Sequence, residues 1–244
     1  MLRVFGKLLM LMALALLVLQ LFFVLRVASM RWNDPQSTAF ERSEIWQLAA
    51  NSEKAFVWKQ QWLAYDQISD NMKRAVIASE DGDFAYHDGV EWEAIEKAWQ
   101  RNTKAEQQAE RRSKRTGKVM VAKIVGGSTI TQQLAKNLFL SGERTFLRKG
   151  QEFVITFALE TFLPKERILE IYLNSVELGT GVFGVEAAAQ HYYRKSASKL
   201  SAYEAARLAV MLPRPKFFER VPNSAYLSSR AQTIAARMGD AELP

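Results

Sequence analysis

Leu8 to Leu25 is an apolar run interrupted only by Gln20, with Arg3 and Lys7 before it and Arg26 and Arg31 after it. At about 1.5 Å of helix per residue, it nearly spans a hydrocarbon core of roughly 30 Å. A cleaved signal peptide is the rival reading. Arg26 closes the run, however, and Val27-Ala28-Ser29-Met30 offers no clean small-x-small cleavage site, so an uncleaved anchor is expected. Basic residues flank both ends. The short N-terminal side carries Arg3, Lys7 and the terminal amine, which suits a cytoplasmic start and puts residues after about 30 outside the cytoplasm.

The 244 residues are enough for one compact domain with a full core beside this appended element. A formal charge of +7, from 33 Lys and Arg against 26 Asp and Glu, implies an anionic partner: a lipid headgroup, a phosphate or a nucleic acid. The anchor favours lipid, and nucleic acid is a poor partner for a domain outside the cytoplasm. The chain has no cysteine, which removes disulfides, thiolate zinc sites and cysteine nucleophiles. With only His87 and His191 as nitrogen ligands, no dedicated metal site is expected.

Residues 31 to 68 carry Trp32, Trp58, Trp62 and Tyr65 among polar residues and read as a juxtamembrane linker. From Asp70 a helical pattern runs through Met72 and Val76 to Glu80-Asp81 and breaks at Gly82. Trp92, Ile95 and Trp99 recur at helical spacing and define the apolar face of a second helix. Residues 101 to 118 crowd seven basic side chains without apolar periodicity, which fits either a solvated, mobile loop or a frayed helical extension. A solvated face and a grip on anionic lipid are equal readings of those charges.

Gly126-Gly127 frees the backbone before Ser128 and Thr129, both good helix N-caps, and Thr129 with Gln132 has capping-box spacing. A helix therefore starts here, its first-turn amides turned toward any anion and Lys136 two turns in. A long amphipathic helix is expected over 144 to 162, and another after Pro164 with Ile168, Leu169, Tyr172 and Leu173 buried. A closely packed helix follows the glycines at 179, 181 and 184, and Ser201 to Glu204 opens a last one that Pro213 ends. No alternating strand pattern, repeat or heptad array is present, so the class is mainly α.

Glu80-Asp81 stands beside a glycine break, Phe84 and His87, an arrangement able to bury one carboxylate and raise its pKa toward proton-transfer range. Acidic pairs more often lie on solvated surfaces. Glu152 sits one turn from Arg148, the spacing of a surface helix pair worth about 0.3 to 0.5 kcal/mol. Lys136, Arg144, Arg148 and Lys149 form a cationic series fit for phosphate. The Walker A, Gly-x-Ser-x-Gly and HExxH patterns are all absent.

In this order the segments resemble the biosynthetic peptidoglycan glycosyltransferase (transglycosylase) domain shared by class A penicillin-binding proteins and monofunctional membrane-anchored enzymes. Glu80 to Gly89 looks like ED-x-x-F-x-x-H-x-G, Gly126 to Asn137 like GGSTITQQ-x-x-KN, Arg148 to Glu152 like RK-x-x-E, and Lys165 to Asn174 like K-x-x-ILE-x-YLN. Ala205 to Pro213 resembles the last, loosest block. The resemblance implies a mainly α, lysozyme-like fold in the monofunctional anchored form. It also implies polymerisation of lipid II into β1,4-linked glycan, with inversion and loss of undecaprenyl pyrophosphate.

Carried onto this chain, Glu80 is the implied general base and Glu152 the implied donor-side carboxylate. Asp81, Phe84, His87, Ser128, Thr129, Gln132, Gln133, Lys136, Asn137, Arg144, Arg148 and Lys149 are the implied substrate-binding set. Mg or Mn can serve such pyrophosphate chemistry, though no motif specifies a cage. Implied partners are lipid II, the lipid-linked glycan chain, membrane lipids and the cell division or elongation machinery. Glu91 stands where many members carry aspartate, and the basic segment 101 to 118 is longer than usual. The expected organisation is an anchor over 1–30, a linker over 31–68, a glycosyltransferase domain over 69–225 and a C-terminal tail over 226–244, in the cytoplasmic membrane with the domain outside. Two rivals are a lysozyme-like hydrolase or lytic transglycosylase, which also suits paired glutamates, and a non-catalytic membrane scaffold.

Overall fold

The computed structural model describes residues 2–51, 58–122, 126–140, 142–143 and 145–244. Helix α1 (Leu2–Ser29) holds the apolar run, and its 28 residues extend about 42 Å, more than a bilayer core needs. Most of its large apolar side chains are exposed; Phe23 packs against the core, and Val27, with Met30 just after the helix, is buried in it. By length and composition α1 is a candidate membrane span.

The segment expected to be a linker contains structure. Thr38 and Glu41 cap one another at the start of α2 (Ala39–Asn51), the Glu41 amide donating to Thr38 Oγ1 and the Thr38 amide to the Glu41 carboxylate. After it, β1 (Lys59–Gln60) joins a small sheet. The backbone N–H and C=O of Leu63 are both held by the buried Asn174 side chain, at 2.8 Å each. The polar composition that suggests a linker instead serves caps and buried polar pairing.

Ser69 caps α3 (Asp70–Glu80), whose Met72, Ala75, Val76 and Ile77 are buried. Next comes α4 (Trp92–Thr116), closed by Gly117 at φ 69°. Of the two readings of the basic segment, the helical extension is the one observed. The expected apolar face of α4 is only partly covered: Ile95 is half-buried and Trp92 stacks on Phe153, but Trp92 and Trp99 remain 66% and 75% exposed.

Thr129 and Gln132 form the expected capping box at the start of α5 (Ile130–Phe139). Thr145 caps α6 (Phe146–Phe162), and Pro164 precedes α7 (Lys165–Ser175), whose apolar stripe is buried as expected. A tight turn joins β2 (Glu177–Gly179) to β3 (Val182–Phe183), which lies between β2, antiparallel, and β1, parallel. Then follow α8 (Val185–Tyr193), α9 (Ala202–Met211) with its Ser201–Glu204 capping box, α10 (Pro215–Arg220) and α11 (Ala225–Arg237).

The region expected to be a C-terminal tail is α11, which packs on α9 and α3 and buries Leu227, Ala231 and Ile234. Those three sit at i, i+4 and i+7, a stripe that lets the helix close the core over α3. The fold is mainly α and lysozyme-like, with α5, α6 and α7 packed on one another, α3 packed on α9 and α11, and the end of α3 hydrogen-bonded to α5.

Candidate active site

Glu80 is the last residue of α3, and its carboxylate is half-buried. Gln133 on α5 donates from Nε2 to it at 2.9 Å, and Ser79 donates at 3.4 Å. The amide of Gln133 is itself oriented, because the buried Tyr172 hydroxyl donates to its Oε1 at 2.9 Å. Burial pushes the Glu80 carboxyl above its ordinary range, and the neighbouring Asp81 charge adds to this. The Gln133 and Ser79 hydrogen bonds and the Arg230 charge oppose it. The outcome is a carboxylate of raised basicity, held by a directed donor.

Asp81 faces the other way, with its side chain fully buried. Oδ2 accepts the Ile130 amide at 2.9 Å, capping α5, and Oδ1 pairs with His87 Nε2 at 2.8 Å. The Gly89 amide donates to His87 Nδ1, which places the imidazole proton on Nε2. Burial works against the imidazolium, but the Asp81 hydrogen bond and charge outweigh it and raise the His87 pKa. Asp81 and His87 therefore tie the loop after α3 to the start of α5. Phe84 is fully buried beneath that loop, with Lys165 Nζ 4.6 Å from its ring centre, so it supports the site from the core.

Glu80 lines one cavity, and its partner Gln133 lines a second. The first, of about 220 Å³, is lined by Glu80, Asp81, Glu91, Lys97, Arg101 and the Gly126 to Thr129 backbone. The second, of about 300 Å³, is lined by Gln132, Gln133, Lys136, Asn137, Arg148, Lys149 and Glu152. Ser128 lines both. Gly127 lets the chain pass within van der Waals reach of α4, since a Cβ there would lie 3.0 Å from the Ala94 carbonyl. Thr129 and Gln132 are buried by their capping role, and among the described residues the Gln132 Nε2 has no partner, leaving a donor at the wall of the second cavity.

Glu152 is 3% exposed and paired with Arg148 at 2.6 Å and with Lys149. Its spacing from Arg148 suggested a surface pair; the burial comes from α6 packing along α5, which no i, i+4 pattern encodes. With both carboxylate oxygens covered by cations, Glu152 offers a metal no open donor, and among the described residues no group of three or more acidic or imidazole side chains could hold one. The second cavity does not fit a protein-bound divalent ion. It fits an anion. Arg144 lies outside the described residues.

Sequence reasoning missed Lys97 and Arg101, which face the first cavity beside Ala94 and Ala98. The signal was available, since positions 94, 97, 98 and 101 share one helical face. Tyr172 and Arg230 were missed for another reason: their effect on Glu80 runs through contacts between distant segments.

A family model described as transglycosylase matches residues 50–239. A biosynthetic peptidoglycan transglycosylase of Burkholderia thailandensis is 54% identical over 230 residues, which cover 94% of this chain and 84% of that protein. One of Paraburkholderia phytofirmans is 53% identical over 232 residues, covering 95% and 90%. Another, of Herminiimonas arsenicoxydans, is 52% identical over 231 residues, covering 95% and 93%.

Proposed function

The chain belongs to the transglycosylase family, and from that premise we propose that it joins lipid II to a growing lipid-linked glycan. Peptidoglycan synthesis for the cell wall, by glycosyl transfer from a lipid-linked glycan, follows from membership of the family. The finer assignment rests on one observation: a carboxylate of raised basicity lines one cavity, and its hydrogen-bond donor Gln133 lines a second cavity walled by cations.

In this reading the acceptor lies in the first cavity, its N-acetylglucosamine 4-hydroxyl against Glu80, with Lys97 and Arg101 near its pyrophosphate. The donor chain lies in the second, its pyrophosphate among Lys136, Arg148 and Lys149. Glu80 takes the hydroxyl proton as O4 bonds to the donor's N-acetylmuramic acid C1. The bond from C1 to the phosphate oxygen breaks, and undecaprenyl pyrophosphate leaves with the electron pair. Attack opposite the leaving group inverts C1 and gives a β1,4 link. Each well-placed cation or donor contributes on the order of 3 kcal/mol toward the charge developing on the leaving group. Glu152 keeps Arg148 and Lys149 aimed into the cavity, and Gln132 Nε2 is an additional donor there. The helix α1 anchors the domain on the outer face of the cytoplasmic membrane, where such a substrate resides.

The test is incubation of the purified full-length protein with lipid II, with products resolved by size. Long strands from the wild type and none from Glu80→Gln are expected. Polymer from the variant sinks the base assignment, and digestion of finished peptidoglycan would turn the reading to a hydrolase.

A further inference from the structure

Where the apolar run of α1 ends, two cavities meet that share no lining residue with either cavity of the active site. One, of about 350 Å³, is polar and lies among Arg26, Ser29, Asn33, Ser37 and Arg42. The other, of about 220 Å³, lies among Phe22, Phe23, Leu138 and Phe139. Arg26, Met30, Ser37 and Arg42 line both, so the two form one groove between α1, α2 and the end of α5.

We propose that this groove binds one anionic diacyl phospholipid, its phosphate between Arg26 and Arg42 and an acyl chain along Phe22, Phe23 and Phe139. The polar chamber opens at the first residue after the apolar run, and the apolar chamber lies one helical turn back along α1, about 6 Å deeper. That is the order in which a bilayer presents phosphate and hydrocarbon. Charge favours the anion. Asp34, the carboxylate in the polar chamber, is held by Arg167 at 2.7 Å. Among the described residues the Arg26 guanidinium has no side-chain partner, and Arg42 commits only Nη1, to the Ser37 backbone oxygen and hydroxyl, both at 3.0 Å. Its Nε and Nη2 stay available, in the fork geometry that suits a phosphate. Both guanidinium groups come from different helices, so an occupant also joins α1 to α2. The apolar chamber distinguishes the ligand from soluble phosphate. A polyprenyl pyrophosphate shares the chemistry, and its use of the groove is an outcome of the test below.

The assignment rests on α1 spanning the bilayer, and the experiment separates the two. Full-length Glu80→Gln protein, which makes lipid binding independent of glycan synthesis, is first floated with vesicles at high salt. Failure to float overturns the span and the groove together. The protein is then delipidated in micelles and offered phosphatidylglycerol and phosphatidylcholine of equal chain length, and retained lipid is read by native mass spectrometry. At least fivefold preference for phosphatidylglycerol is expected, falling to near parity in Arg26→Gln/Arg42→Gln with unchanged melting temperature. The pair Arg111→Gln/Arg112→Gln, exposed on α4, is expected to keep the preference. Equal loss in both pairs overturns the groove in favour of diffuse charge, and retention in the first pair overturns it outright. Displacement of phosphatidylglycerol by an equimolar polyprenyl pyrophosphate overturns the choice of phospholipid.

Discussion

Gln20 and Gln151 exchange two side-chain amide hydrogen bonds, at 2.8 and 2.9 Å, between the one polar residue of the apolar run and the residue preceding Glu152. The same offset of 131 residues recurs where Arg31 donates to the Phe162 carbonyl, so α1 and α6 lie side by side in the same direction. Phe23 meets Phe139 edge-on at 5.4 Å, and Arg167 donates to the Met30 carbonyl. The apolar helix α1 is thus registered against the helix that carries Glu152.

Removing either amide strands the other in a poorly hydrated place. Gln20→Leu and Gln151→Leu are each expected to lower stability in micelles by about 1 kcal/mol, and the double variant by less than their sum. A double-mutant cycle from thermal unfolding checks this. Strict additivity would show that the pair does not couple the two helices.

Glu80 acts as a base only when ionised, so the acid limb of kcat/KM should lie above the ordinary glutamate range, because burial raises its pKa. Two variants should move that limb in opposite directions. Gln133→Ala removes a hydrogen bond that favours the carboxylate and shifts the limb to higher pH. Asp81→Asn removes a neighbouring negative charge and shifts it to lower pH. Glu80→Gln itself should cost roughly 10² to 10⁴-fold in rate on the plateau above the acid limb, with the difference shrinking as pH falls through that limb. Limbs that move together in both variants would point to another titrating group.

Glu177, with Lys216 at 3.1 Å, is pushed up to about 7, first by burial and further by the Glu44 charge, against the pull of Lys216. A folded-state pKa above the unfolded value means that the stability lent by the neutral carboxyl is complete below about pH 4.5 and is lost as pH rises through about 7. The wild type should therefore lose on the order of 2 kcal/mol over that interval relative to Glu177→Gln, which stays neutral. Chemical denaturation at pH 4.5 and pH 8 measures it. Parallel pH profiles would reject the assignment.

Gly184 sits at φ 77°, and a Cβ there would lie 2.7 Å from the Asn174 carbonyl oxygen, a backbone atom with no room to retreat. Gly184→Ala is expected to cost about 3 kcal/mol or more, from combined strain and overlap. By contrast Gly82→Ala, with nothing within 4 Å, should cost little. Thermal unfolding of the two variants side by side decides it.

Much of this molecule is written locally. The candidate membrane span follows from an apolar run interrupted only by Gln20, because every exposed backbone group in hydrocarbon must be satisfied within the helix. The capping boxes at Thr129 and Ser201, and the start of α3 at Ser69, follow from interactions three residues apart. So do the buried stripe of α7 and the order of the blocks that carry the resemblance. The stripe of α11, with Leu227, Ala231 and Ile234 at helical spacing, is also local.

Other features depended on tertiary packing. Glu152 reads as one end of a surface pair until α5 and α6 pack together and bury it. The basicity of Glu80 depends on Gln133, 53 positions away, and Gln133 in turn on Tyr172, 39 positions further along. Local patterns report interactions closed within a helical turn. Burial, and the direction of a hydrogen bond between distant side chains, arise only when helices meet, since desolvation belongs to the assembled surroundings of a group rather than to its neighbours in the chain.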